Sequence, residues 1–173
     1  MTSGLYTEIG FSLGSNLGDR VAHLCRAKAR ILEQPQARPA AQSSIYETEP
    51  VGVKAEYADK RFLNAVLVIE SSWPVEPWLA RLAEIEDQLG RVRSEDRFAP
   101  RTMDIDILYA GGTCIDSGGL ILPHPRWALR RFVVEPLAEI RPDLELPGAG
   151  RTVQAILDDL AHGEACVRID TPW

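Results

Sequence analysis

A chain of 173 residues and 19.2 kDa is one domain long, enough to bury roughly 70% of the surface its unfolded form exposes. With 45% hydrophobic and 25% charged residues it is neither disordered nor fibrous, and a net charge of -6 argues against general binding to nucleic acid or anionic membrane. Of 19 cationic residues only Lys28, Lys54 and Lys60 are lysines, so 16 are arginines, the side chain suited to bidentate contact with carboxylate or phosphate.

Tyr6 to Leu13 predicts a first strand, ended by Gly14-Ser15-Asn16-Leu17-Gly18-Asp19, a run with turn and capping chemistry. A helix follows over Arg20 to Glu33, with Val21, Leu24, Ala27, Ile31 and Leu32 at helical spacing and Pro35 and Pro39 closing it. Ala41 to Glu47 and Phe62 to Ser71 read as strands on either side of a polar loop from Glu49 to Arg61. Val75, Trp78, Leu79, Leu82 and Leu89 place a second amphipathic helix ending near Gly90. From Arg91 to Thr102 no apolar period survives, and a long exposed loop carries four arginines. Met103 to Tyr109 reads as a strand, Gly111 to Gly119 as turns, and Trp127 to Ile140 and Thr152 to Ala161 as helices. The order β-α-β-β-α-β is that of an α+β, ferredoxin-like sandwich with an antiparallel sheet and additional C-terminal helices.

Cys25, Cys114 and Cys166 are odd in number, far apart and form no CxxC pair, which indicates neither a disulfide framework nor a zinc site and predicts buried or idle thiols in a reducing compartment. The longest apolar run, Ala65 to Ile69, falls far short of a ~20-residue membrane span, and the first residues carry no basic or apolar leader pattern. The expectation is a single cytoplasmic domain covering residues 1–173.

The chemistry concentrates in Arg97-Phe98-Ala99-Pro100-Arg101-Thr102-Met103-Asp104-Ile105-Asp106-Ile107-Leu108. Strand side chains alternate, so Asp104, Asp106 and Leu108 point one way and Ile105, Ile107 and Tyr109 the other. The two aspartates have Cα atoms roughly 7 Å apart, close enough to converge on one divalent cation or a pair. Arg91, Arg93, Arg97 and Arg101 lie on the loop that leads into them. Carboxylates with a hard metal, beside arginine forks, suit a polyphosphate; a solvated loop of ordinary ion pairs is the plainer alternative. Glu86 sits at the edge of a helical apolar stripe, where it snorkels to water, orients an arginine or meets a ribose. His124 is held between Pro123 and Pro125, and its ring either donates to a phosphate or caps a turn. Asn64 lies inside an apolar strand and needs partners, from the backbone or from a heterocycle edge.

In this order, Gly14-Ser15-Asn16-Leu17-Gly18, Tyr46-Glu47-Thr48-Glu49-Pro50, Phe62-Leu63-Asn64-Ala65, Leu89-Gly90-Arg91, Pro100-Arg101-Thr102-Met103-Asp104-Ile105-Asp106-Ile107 and Leu122-Pro123-His124-Pro125 resemble the 6-hydroxymethyl-7,8-dihydropterin pyrophosphokinases of folate biosynthesis. The resemblance implies transfer of the pyrophosphoryl group of ATP to the hydroxymethyl oxygen of the pterin, with release of AMP. It implies two Mg2+ ions on Asp104 and Asp106, and catalytic roles for Arg91 and Arg101. It further implies ATP contacts from Glu86, Arg93, Phe98, Ile107, His124 and Arg130. The implied pterin pocket comprises Thr48, Val51, Phe62, Asn64 and Phe132, the phenylalanines stacking on the ring. The implied partners are these two small molecules, with no nucleic acid or membrane, and the implied state is a monomer. The chain departs from the family pattern at Phe98, where tryptophan is frequent, at Ala99, where glycine is usual, and at Ala83, where glutamine occurs. Its loop from Gly52 to Phe62 is also longer. A D-x-D nucleotide-sugar transferase and a ferredoxin-like ligand-sensing module are the competing readings; the first needs a larger domain, and the second leaves the aspartate pair without a purpose.

Overall fold

The computed structural model describes residues 6–50, 54–92, 95–96, 99–160 and 165–173. Its elements are β1 (Thr7–Ser15), α1 (Arg20–Leu32), β2 (Ala37–Gln42), β3 (Ile45–Thr48), β4 (Phe62–Ser71), α2 (Glu76–Gln88), β5 (Asp104–Ala110), β6 (Ile115–Ser117), β7 (Leu120–Leu122), α3 (Arg131–Ile140), α4 (Val153–Asp159) and β8 (Cys166–Ile169). The main sheet is antiparallel with order β5-β1-β4-β3-β8, and β2 pairs with β4 beyond β3. Taking β2 and β3 together as one interrupted strand gives the interleaved order of the split βαβ unit, with β8 added at the edge.

Helices cover both faces. Leu24, Ala27 and Ile31 of α1 and Trp78, Leu82 and Ile85 of α2 pack on Ile9, Phe11, Leu13, Leu67, Ile105 and Ile107. Trp78 is fully buried, its ring 5.6 Å from that of Phe11, and its indole N–H donates to Ser71 Oγ at 2.8 Å. Burying one such side chain contributes roughly 1.5–3 kcal/mol. Val133, Val134 and Leu137 of α3 and Val153 and Ile156 of α4 close the opposite face over Val66, Val68 and Leu108. Glu139 of α3 anchors that layer by accepting from the Ser44 backbone N–H and hydroxyl, both at 2.8 Å, and from the Tyr46 hydroxyl at 3.1 Å.

Several boundaries differ from those the sequence predicts, each for a local reason. β1 continues through Gly14 and Ser15, which pair with Asn64 and Leu63, so the glycine does not end the strand. The helix cap is Asp19, which accepts from the Ala22 N–H at 3.0 Å. Pro39 lies inside β2, where a register shift toward Ala41 accommodates its missing N–H. The turn region after β5 contains the β6–β7 hairpin, the expected helix from Trp127 is a short 3-10 turn followed by α3, and β8 is an additional strand.

Strict alternation fails at the end of β5. Phe11 pairs with Ile107 but Gly10 pairs with Tyr109, leaving Leu108 as the extra residue of a bulge. Tyr109 therefore joins Leu108 on the α3 face, contrary to the simple two-residue period. Its ring lies against Gly10, where a Cβ would approach to 2.3 Å. Its hydroxyl donates to Glu8 Oε1 at 2.7 Å, and Arg141 meets Glu8 Oε2 at 2.8 Å. Burial raises the Glu8 pKa, but the hydrogen bonds from Arg141 and Tyr109, with the charge of Arg141, outweigh it and hold the carboxyl below its ordinary value.

A depressed folded-state pKa means that the ionised Glu8 stabilises the fold above its unfolded value and that this contribution vanishes as pH falls through the folded value. The Tm of Glu8→Gln is expected to lie below that of the wild type at neutral pH. The gap should begin to close below the ordinary glutamate value of 4.5. Thermal melts across pH check this, and a gap that stays constant into acid would refute it.

Candidate active site

The residues that the sequence marks for chemistry meet at one end of the sheet, on the α3 face. Asp104 pairs with Gly14, and Gly14 in turn with Asn64, so β5, β1 and β4 present these three residues in one row. Asp106 pairs with Ser12 one step along. Thr48, at the end of β3, stands beside Asn64 and accepts its Nδ2–H at 2.8 Å. Asn64 is 3% exposed; its amide orientation is thus fixed by a neighbour, with carboxamide capacity to spare. Phe62, two residues before Asn64 on β4, and Phe132 of α3 are half-buried, and the Arg130 guanidinium lies 5.5 Å from the Phe132 ring centre.

The acidic pair is surrounded by cations. Arg91 donates to Asp104 Oδ1 and Arg101 to Asp104 Oδ2, each at 2.9 Å. Asp106 faces Arg130 Nη1 at 3.7 Å and His124 Nε2 at 4.0 Å. Although 42% of its side-chain surface is accessible, Asp106 is enclosed enough by the surrounding protein for burial to raise its pKa, with Asp104 adding to the effect. His124, Arg130 and Arg91 pull the other way without prevailing. Burial lowers the His124 pKa against the pull of Asp106, which favours the neutral ring. His124 is positioned by its own turn: its backbone N–H donates to Leu108 O at 2.8 Å, and its Nδ1 accepts from the Arg126 N–H at 3.1 Å. That leaves Nε2 toward the acidic pair.

Glu86 does not reach water. It is 6% exposed, and its Oε1 accepts from the Ile105 N–H at 2.7 Å and from Arg91 at 2.5 Å. The carboxylate therefore joins α2 to the start of β5 and aims Arg91 at Asp104. Burial raises its pKa, opposed by the Ile105 N–H and by Arg91. Ile107 is placed apart from the cleft: 5% exposed, its side chain packs in the α1–α2 core, so any nucleotide contact there falls to its backbone. Val51, Arg93 and Phe98 lie outside the described residues.

Asn16 carries a role the sequence reading assigned only to turn chemistry. Its Oδ1 accepts the Arg101 N–H at 2.8 Å, its backbone N–H donates to Arg101 O at 3.2 Å, and its Nδ2 donates to Lys60 O at 3.4 Å. One side chain thus ties the end of β1 to both loops that flank the site. The signal available was an asparagine directly after two small strand residues, which a turn explains equally well. Lys54 and Asp96 also join these loops, with Nζ to Oδ2 at 2.6 Å. A cleft of about 500 Å³ lined by Trp127, Pro147, Arg151 and Ile156 shares His124 but contains neither aspartate.

Residues 10–142 match the family model described as 7,8-dihydro-6-hydroxymethylpterin-pyrophosphokinase (HPPK). A 2-amino-4-hydroxy-6-hydroxymethyldihydropteridine pyrophosphokinase of Bacillus subtilis is 43% identical over 135 residues, covering 78% of this chain and 78% of the relative. One from Methylorubrum extorquens is 39% identical over 154 residues, 89% of this chain and 94% of the relative. A crystal structure of Plasmodium falciparum HPPK-DHPS with pterin and p-hydroxybenzoate superposes with a TM-score of 0.67 at 13% identity, over 92% of this chain. This chain spans 44% of that longer one, and the likeness concerns the fold. The chain belongs to the 7,8-dihydro-6-hydroxymethylpterin-pyrophosphokinase family, and its reaction is the transfer of a pyrophosphoryl group from ATP to hydroxymethyldihydropterin in folate biosynthesis.

Proposed function

We propose that Asp104 and Asp106 hold Mg2+ across the phosphates of ATP, that Arg91 and Arg101 neutralise the transferring group, and that Thr48, Asn64, Phe62 and Phe132 seat the pterin. The observation that carries this reading is the double occupancy of Asp104, whose two oxygens each accept from a different arginine. The donor set suits the metal: two oxygen-only ligands share a strand face, and among the described residues no cluster of three His, Cys, Asp or Glu forms a protein cage. Mg2+ is typically bound by one or two carboxylates, with phosphate oxygens and water completing its shell. Its chemistry, when bound, is to neutralise and align phosphate charge.

The chain's own groups do the rest. Arg91 and Arg101 have guanidinium donors to re-aim at phosphoryl oxygens once Asp104 turns to a cation, and Glu86 keeps Arg91 within reach. His124 Nε2 and Arg130 are placed to donate to the remaining phosphates. The hydroxymethyl oxygen attacks the β-phosphorus, the bond from that phosphorus to the oxygen shared with the α-phosphorus breaks, AMP leaves with that oxygen and the electron pair, and the hydroxyl proton is released. A loose transition state of this kind asks for positioning and charge neutralisation more than for a dedicated base. Arg91 and Arg101, drawn over the transferring group, exclude water as a competing nucleophile. One chain supplies every group named, which supports a monomer and a single functional domain. Cys25, Cys114 and Cys166 form no disulfide with one another, and no helix among the described residues is long and apolar enough to cross a membrane.

The direct test is incubation with ATP, Mg2+ and 6-hydroxymethyl-7,8-dihydropterin, read by chromatography. Pterin-dependent AMP is expected, and ADP in its place would overturn the reading. In Asp104→Asn/Asp106→Asn, Mg2+-dependent nucleotide binding measured by calorimetry should be lost; wild-type affinity and turnover would remove the metal assignment. Arg101→Ala should lower kcat by roughly 100-fold while changing ATP affinity little, the pattern of a contact made in the transition state. Equal losses in both would demote Arg101 to a ground-state contact.

A further inference from the structure

Gly10 and Gly14 of β1 both have their α-carbons on the face that carries the acidic pair, and their surroundings differ. A methyl group at Gly10 would meet the Tyr109 ring at 2.3 Å, so the protein itself fills that space. A methyl group at Gly14 would meet Asn64 Oδ1 at 3.1 Å and a Phe62 ring carbon at 3.8 Å; beyond the chain neighbours, no other atom of the described residues comes within 4 Å. No turn or left-handed backbone calls for glycine here, because Gly14 is buried inside β1 and paired on both sides. A glycine inside a strand sacrifices packing and chain entropy, and marks a place where something approaches the backbone closely.

The register says what lies on either side. Gly14 pairs with Asp104 across one edge and with Asn64 across the other. Strands sit ~4.8 Å apart, so the two residues are roughly 10 Å apart across bare backbone. We propose that Gly14 is a specificity-determining residue, and that the gap above its α-carbon is where the hydroxymethyl arm crosses from the ring at Asn64 to the phosphates at the acidic pair. The inference rests on the assignment of pterin and metal sites made above. Any side chain at this position would stand in the path of the arm and press on the Asn64 carboxamide. That amide has little room to yield, because Thr48 Oγ1 accepts its Nδ2–H at 2.8 Å.

The test compares Gly14→Ala with the wild type in steady-state kinetics. KM for 6-hydroxymethyl-7,8-dihydropterin should rise by about tenfold or more, with KM for ATP little changed. A pterin KM within about twofold of the wild type, or equal losses for both substrates, would overturn the proposal. A second measurement needs no variant: protein labelled with 13C-glycine is mixed with 6-hydroxymethyl-7,8-dihydropterin, Mg2+ and α,β-methylene ATP, whose carbon bridge blocks transfer. A nuclear Overhauser contact between the Gly14 α-protons and the hydroxymethyl protons is expected. Its absence, with ring contacts to Phe62 or Phe132 present, would overturn the proposal. Failure of the wild type to form pterin-dependent AMP would instead strike the underlying assignment, and is read in a separate assay.

Discussion

The register of β1 between β4 and β5 is the constraint on which the site depends. Because β1 pairs antiparallel on both sides, residues brought from distant parts of the chain, Asn64, Gly14 and Asp104, align across one face. A slip of one residue on either side would turn Asp104 and Asp106 into the α1–α2 core and expose Ile105 and Ile107 to the cleft. Burial of those two isoleucines, at 7% and 5% exposure, therefore fixes the register that aims the carboxylates. Core packing on one face of β5 and chemistry on the other are a single structural decision.

Electrostatics then determines what the aimed carboxylates need. Two acids on neighbouring positions of one strand face repel, and burial raises the Asp106 pKa further. The resting structure answers with Arg91 and Arg101 on Asp104, and with Arg130 and His124 toward Asp106. These are the groups a metal-bound polyphosphate would engage. On the proposed assignment the same guanidinium groups serve two arrangements, as counterions to aspartate without substrate and as phosphate ligands with it. Glu86 limits how far Arg91 travels between them, since it holds both that arginine and the Ile105 N–H.

Much of this was legible in the sequence. The β-α-β-β-α-β order follows from periodicity and turn residues, and the shared face of Asp104 and Asp106 follows from strand alternation alone. Legibility ends where long-range pairing overrides local preference. Gly14-Ser15 carries turn chemistry, yet both residues stay in β1 because β4 extends far enough to pair with them. Tyr109 leaves its predicted face because a bulge at Leu108 shifts the register, and a bulge depends on both partners of a ladder. β8 is short, with two exposed residues at its centre, so its apolar pattern is too weak to announce a strand. Asn16 and Glu86 were readable as residue types, but the loop backbone that Asn16 holds and the Ile105 N–H that Glu86 caps lie 19 or more residues away.

The two glycines on the site face of β1 join these levels. Each removes a side chain from a strand interior, which costs roughly 0.5–1 kcal/mol in regular structure relative to alanine. At Gly10 the loss is offset by the Tyr109 ring, whose hydroxyl ties the strand to Glu8 and, through it, to Arg141. Among the described residues no ring covers Gly14 in this way, although it lies in the same strand and on the same face. On the proposal made for Gly14, a fold that fills one such gap with its own ring and leaves its counterpart between Asn64 and Asp104 keeps a packing defect where the reacting arm passes. The cost of that defect then belongs to the reaction, since nothing in the pairing of β1 requires it.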